Sequence, residues 1–152
     1  MAKTTSSHWK RGRGKLGVLA PLLGTWNAKA TTPMGTVNCT RTFIPILGGT
    51  RIQLTARWEF EKGCYEELAI IGANSDGEVA FWSFTSDGKN STGRISDVSD
   101  IHPEAIGFEA QMPAGLARMA YWPDDGDGYR WAVESKNKKG WKRLTEHHYT
   151  RA

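Results

Sequence analysis

Apolar and polar residues alternate clearly between residues 51 and 60. Ile52, Leu54, Ala56, Trp58 and Phe60 interleave with Arg51, Gln53, Thr55, Arg57 and Glu59. That period of two marks a half-buried antiparallel strand with one dry face. The same alternation groups Ile106, Phe108, Ala110 and Met112, and again Tyr129, Trp131 and Val133. Val79 to Phe84 is apolar on both faces, which predicts a cover over the outer side there, a second copy of the chain being one candidate. Between such runs, turn residues recur at hairpin spacing. They include Thr32–Gly35, Leu47–Gly49, Lys62–Gly63, Asn74–Gly77, Ser86–Asn90, Ser99–Pro103, Pro113–Gly115, Pro123–Gly128 and Asn137–Gly140. Gly, Asn and Asp at these places supply the positive φ that tight reversals need.

The pattern predicts an all-β chain of about ten short strands, each joined to the next by a local turn. A single up-and-down antiparallel β-barrel follows, since the connections are too local for a Greek-key sandwich. Leu16 to Leu23 reads as a short helical plug at one end of the barrel. Residues 1–15 read as a disordered basic leader, and 16–152 as the barrel domain.

Composition changes this picture in two places. Seven Trp in 152 residues fit either a Trp-rich core or an aromatic-lined pocket. The net charge of +4 belongs to the leader, where Lys3, Lys10, Arg11, Arg13 and Lys15 stand without an acid. The rest carries 15 basic and 16 acidic residues and sums to −1. A nucleic-acid binder is expected to carry its basic stripe on the fold, so nucleic acid is disfavoured as a partner. A module docking nucleic acid or an acidic surface through its basic tail stays as an alternative.

Lys10 to Leu23 imitates a secretory n-region and h-region, and Ala28-Lys29-Ala30 a cleavage site. The apolar stretch is short and broken by Gly17 and Pro21, so a cytoplasmic location is expected, with secretion as the alternative. No stretch reaches transmembrane length. Cys39 and Cys64 read as free thiols in cytosol, although export would let them pair.

Catalytic signatures are missing: there is no G-x-S-x-G elbow, H-E-x-x-H pair or P-loop. The four His are scattered, with His8 in the leader and His102 in a loop before Pro103. Asp124-Asp125-Gly126-Asp127-Gly128 fails the EF-hand spacing and reads as an acidic turn. Glu66 and Glu67 fall on opposite faces of one strand and read as solvated rim charges rather than an acid–base pair.

Gly24-Thr25-Trp26 is a G-x-W triplet at the start of the first strand, where Gly permits a tight turn and Trp26 points to one face. Leu47-Gly48-Gly49-Thr50-Arg51 follows the second strand, and Tyr149-Thr150-Arg151 ends the last. Between them run Ile71-Gly72-Ala73, Gly77, Phe81-Trp82-Ser83-Phe84 and Ser86-Asp87-Gly88. Their order over residues 16–151 resembles the calycin superfamily, nearest a bacterial lipocalin-like family of unknown function. The resemblance implies that a late basic side chain, Arg151 or Arg143, packs on the Trp26 indole and closes the barrel floor.

A more distant similarity, to nitrobindin, implies haem held by a His on the last strand. By alternation His147 shares a face with Trp141 and Tyr149, and His148 lies opposite. His147 is therefore the candidate axial ligand. The residues after the G-x-W, Asn27-Ala28-Lys29-Ala30, depart from the nitrobindin pattern, so no cofactor is expected and haem is the alternative.

The favoured function is non-catalytic binding of a small hydrophobic or amphipathic molecule inside the barrel. Candidate inward residues are Leu54, Trp58, Phe108, Met112, Met119, Tyr121, Trp131 and His147, with Tyr121 or His147 as the polar handle. For each, core filling is the plain alternative.

Overall fold

A computed structural model describes residues 9–152. The chain forms ten antiparallel strands: β1 (Gly24–Thr32), β2 (Gly35–Ile46), β3 (Arg51–Phe60), β4 (Gly63–Ala73), β5 (Val79–Thr85), β6 (Asn90–Ser96), β7 (Ile106–Met112), β8 (Gly115–Pro123), β9 (Tyr129–Asn137) and β10 (Gly140–Arg151). Each strand pairs with its sequence neighbour, and β10 returns to β1, so the barrel is closed. The seam is short: β1 and β10 pair only at Trp26–Arg151 and Asn27–Thr150.

The up-and-down order gives the barrel two different ends. The β1–β2, β3–β4, β5–β6, β7–β8 and β9–β10 hairpins gather at one of them. The other end is stopped by a 3₁₀ segment, Lys15–Leu22, which buries Leu19 and Leu22 completely. The Trp26 indole N–H donates to the Leu22 carbonyl at 2.8 Å, and the Lys15 ammonium donates to the Gly77 carbonyl. Side chain and backbone thus both anchor the plug.

Residues 1–8 of the expected leader lie outside the described residues. From Trp9 the chain packs onto the barrel: the Trp9 ring is buried near Tyr129, and its indole N–H donates to the Glu104 carbonyl at 3.0 Å. Ordered packing therefore begins before residue 16. One large apolar ring removed from water contributes roughly 1.5–3 kcal/mol, enough to hold a basic segment down despite its polar neighbours.

The outer wall is covered by the chain itself over β8 and β9. The β6–β7 connection, residues 97–105, lays Val98, Ile101 and Ala105 on Ala120, Trp122 and Ala132. Under its edge the buried Arg118 guanidinium meets Asp100 at 2.7 Å and Glu134 at 2.7 Å. Over β5 the outward Ala80 is buried, Trp82 is half-buried and Phe84 is 55% exposed.

Candidate ligand-binding site

The inner face of β2 reads Val37, Cys39, Arg41, Phe43. Arg41 therefore occupies an apolar register, and it is 1% exposed. Its Nη2 donates to the Tyr121 hydroxyl at 2.7 Å, and the Met119 sulfur lies 4.0 Å from the same nitrogen. The guanidinium carbon sits 4.9 Å from the Trp131 ring centre and 5.6 Å from that of Tyr121. Among the described residues Arg41 forms no ion pair, and its Nε has no hydrogen-bond partner. Burial works against its charge, while Tyr121, Tyr149 and Glu67 favour it and hold the pKa above the ordinary arginine value. Arginine stays protonated in any case.

Facing this group from β4 is Glu67, whose Oε2 accepts a 2.5 Å hydrogen bond from the Ser83 hydroxyl. Beside Glu67 and Tyr121 lies a void of about 10 Å³, lined also by Leu54, Phe81, Phe108 and Met119 but not by Arg41, room for about one water. A cleft of about 180 Å³ shares Glu67, Phe81, Phe108 and Met119 with that void, and extends past Met112 and Val133. Met112 ends β7 beside the β7–β8 turn, so the cleft leads to the hairpin end of the barrel. The void and the cleft thus lie on either side of the same four side chains, an acid among them.

Of the residues predicted to line a pocket, the structure brings Leu54, Phe108, Met119 and Tyr121 to the void, and Phe108, Met112 and Met119 to the cleft. Trp58, Trp131 and His147 form a separate aromatic cluster. The His147 ring centre lies 5.2 Å from Trp58 and 5.1 Å from Trp131, and Nδ1 is 3.5 Å from the Tyr149 hydroxyl. Burial, then the Arg41 charge, pushes the His147 pKa down, leaving a neutral imidazole. Burial likewise raises the Cys39 thiol, which sits beside Tyr149.

Neither the void nor the cleft reaches His147. Both volumes fall well below the ~300–1,000 Å³ of a drug-sized site, and a haem macrocycle is no smaller. As packed, the residues around His147 do not fit haem.

The barrel floor separates the two arginines proposed for it. Arg151 lies over Trp26, its guanidinium carbon 4.1 Å from the ring centre. Arg143 is on the outer wall instead, 5.2 Å over Trp122 and paired with Glu134 and Glu146 at 2.8 and 2.6 Å. The cause is a β-bulge. Arg143 pairs with Glu134 and Thr145 with Val133, so Leu144 is an extra residue in β10. A bulge reverses the facing of everything beyond it. Trp141 is therefore outside, under Arg118 at 4.2 Å, whereas His147 and Tyr149 are inside. The shared face expected for Trp141 and His147 is thus corrected.

Arg41, Glu67 and Ser83 were not among the predicted residues. The signal for Arg41 was a charge in the apolar register of β2. Glu66 does behave as a rim charge, paired with Arg57 at 3.0 Å. Glu67 faces inward, because β4 buries Ala69 and Ile71 on the same side.

No protein-family model and no curated protein matches the chain. Among solved structures, the crystal structure of Rv2717c from M. tuberculosis is similar, with a TM-score of 0.57 at 14% identity over 98% of this chain and 99% of that one. At that identity the likeness speaks for the fold alone. No helix among the described residues is long and apolar enough to cross a membrane.

Proposed function

We propose that the protein is a non-catalytic carrier or sensor barrel that holds a small amphipathic molecule in the passage between Tyr121 and the hairpin end. The observation carrying this reading is the neighbourhood of void and cleft, which share Phe81, Phe108, Met119 and Glu67 as walls, in a barrel whose opposite end is plugged by Leu19 and Leu22; a passage forms when these side chains part. Binding would draw on apolar area removed from water at ~25 cal/mol per Å², less the cost of ordering the ligand. Met112 and Met119 line the route, and unbranched thioethers repack around varied shapes at low cost.

A calycin-type assignment belongs to this reading. It is supported by the up-and-down closure, by the Trp26–Arg151 floor and by the overlay on Rv2717c. A cytoplasmic setting is supported by the two free thiols, Cys39 and Cys64.

Titration with a polarity-sensitive naphthalene sulfonate dye, followed by displacement with 1-octanol, tests the proposal. Wild type should bind the dye saturably, and octanol should displace it. An Ala117→Trp variant, which places an indole in the cleft, should lose both. Equal binding by that variant, or none by the wild type, would remove the passage as a site.

A further inference from the structure

The outer wall over β4 and β5 carries an apolar ridge. Leu68 stands opposite Phe84, and Ile70 opposite Trp82, in the register of the two strands. All four point outward, since Ala69, Ile71 and Ser83 between them are buried in the barrel. Phe84 is 55% exposed and Leu68 41%. The 97–105 connection covers the wall of β8 and β9, but no segment of the described residues does the same here. An exposed apolar patch of this kind marks an interaction surface.

A groove runs along each side of the ridge. One, of about 580 Å³, is lined by Thr40, Thr42, Thr55 and Arg57 as well as by Leu68 and Phe84, and Arg57 is paired with Glu66. The other, of about 510 Å³, extends from Ala80 and Trp82 across β6 to β7. It is acidic, because Asp76, Glu78 and Glu109 line it with a single base, Arg94. Arg94 pairs with Glu78 at 3.8 Å, and among the described residues Asp76 and Glu109 have no ion pair. At the β3 edge of the ridge lies Arg51. Gly72 makes room for it, since a Cβ there would collide with the Arg51 side chain. Its guanidinium donates to the adjacent Thr50 carbonyl at 2.9 Å and forms no ion pair among the described residues.

We propose that the β4–β5 wall docks a second copy of this chain, with the two-fold axis along β5. An isologous contact must be self-complementary, and this wall is so in charge and in shape. Along that axis Trp82 and Phe84 meet their own counterparts, aromatic residues of the kind enriched at interfaces. The row Arg51, Gly72, Ala80, Arg94, Glu109 crosses the wall strand by strand and meets itself reversed. Arg51 of each copy therefore comes over the acidic groove of the other, opposite Glu109. The two convex walls curve apart on either side of β5, and arginine and glutamate are long enough to span the gap.

The same contact covers a thin part of the barrel. β6 and β7 pair only at Arg94–Glu109, Ile95–Phe108 and Ser96–Gly107. Asn90–Gly93 and Ala110–Met112 pair with β5 and β8 but not with one another. The acidic groove and the 180 Å³ cleft share Phe81, Glu109 and Ala110 as walls there. Unpaired strand edges invite wrong pairing, and covering them protects the fold.

Sedimentation velocity of the full chain from about 5 to about 500 µM tests the contact, since a small interface between convex walls dissociates in the micromolar range. Wild type should pass from monomer to dimer over that range. Phe84→Glu, a change at an exposed position, should hold it monomeric by setting like charges across the axis. Arg51→Glu should weaken dimerisation tenfold or more. In a Cys64→Ser background, Phe84→Cys should crosslink on mild oxidation, and Thr150→Cys, on the opposite wall, should not. A monomer throughout, or wild-type association by both charged variants, overturns the proposal. So does crosslinking at Thr150→Cys in preference to Phe84→Cys. A monomeric Phe84→Glu beside an unaltered Arg51→Glu overturns the two-fold along β5.

Discussion

The Arg151 guanidinium lies 4.1 Å above the Trp26 ring and donates from Nη1 to the Leu23 carbonyl at 3.4 Å. The two residues are also partners in the short β1–β10 seam. Gly24 makes the contact possible: it sits at φ 118°, and a Cβ there would stand 2.6 Å from Arg151 Nη1. Glycine and tryptophan of the G-x-W triplet, the plug and the final arginine thus form one joint that closes the barrel.

Arg151→Met should lower unfolding free energy by ~0.5–2 kcal/mol, the range of a cation over an indole face. Gly24→Ala should cost more, because it combines left-handed strain with the clash at Arg151. Chemical denaturation of both variants checks the order. Arg143→Met should leave the floor intact, since Arg143 packs on Trp122 outside.

The external ion pairs make a prediction in acid. The hydrogen bond from Arg118 holds the Asp100 carboxyl below its ordinary value of 3.8. A depressed carboxylate adds stability that is fully present above the unfolded-state value and is lost as pH falls through the folded one. Melting temperature should therefore drop below about pH 4, and more steeply for wild type than for Arg118→Met. Parallel profiles would contradict the assignment. Since Asp100 anchors the 97–105 connection, amide exchange over those residues should accelerate first.

His147 titrates the other way round from a paired histidine. Burial lowers its pKa below 6.5, so the unfolded chain takes up the proton first. Its contribution to stability is present above about pH 6.5 and declines as pH falls through the lower folded value. Imidazole NMR should place its midpoint under 6.5, and His147→Gln should flatten the pH dependence of stability in that window. A midpoint at or above 6.5 would show a solvated or acid-paired ring.

Much of the architecture could be read from the chain because period-2 alternation and Gly, Asn and Asp turns are local signals. Ile52 to Phe60 became β3 with the expected face inward, and Leu16 to Leu23 became the plug. Facing in β10 was not legible beyond the bulge at Leu144, because a bulge adds a residue without any residue type that must mark it. Strict alternation therefore puts Trp141 and His147 on one face, whereas they lie on opposite faces of β10. At the site, Leu54, Phe108, Met119 and Tyr121 were legible as apolar or amphipathic inward positions. Arg41 and Glu67 were not selected, since charged residues are mostly exposed, and only their register against Cys39, Phe43, Ala69 and Ile71 gives them away.

The most direct test of binding inside the barrel follows the methyl groups of Met112 and Met119 by NMR in ¹³C-methyl-methionine protein as 1-octanol is added. Met34, 76% exposed in the β1–β2 turn, serves as the internal reference. Binding there gives saturable shifts at Met119 and Met112, none at Met34, and loss of both shifts in Ala117→Trp. Shifts absent from Met119, or equal at all three sites, would contradict binding inside the barrel.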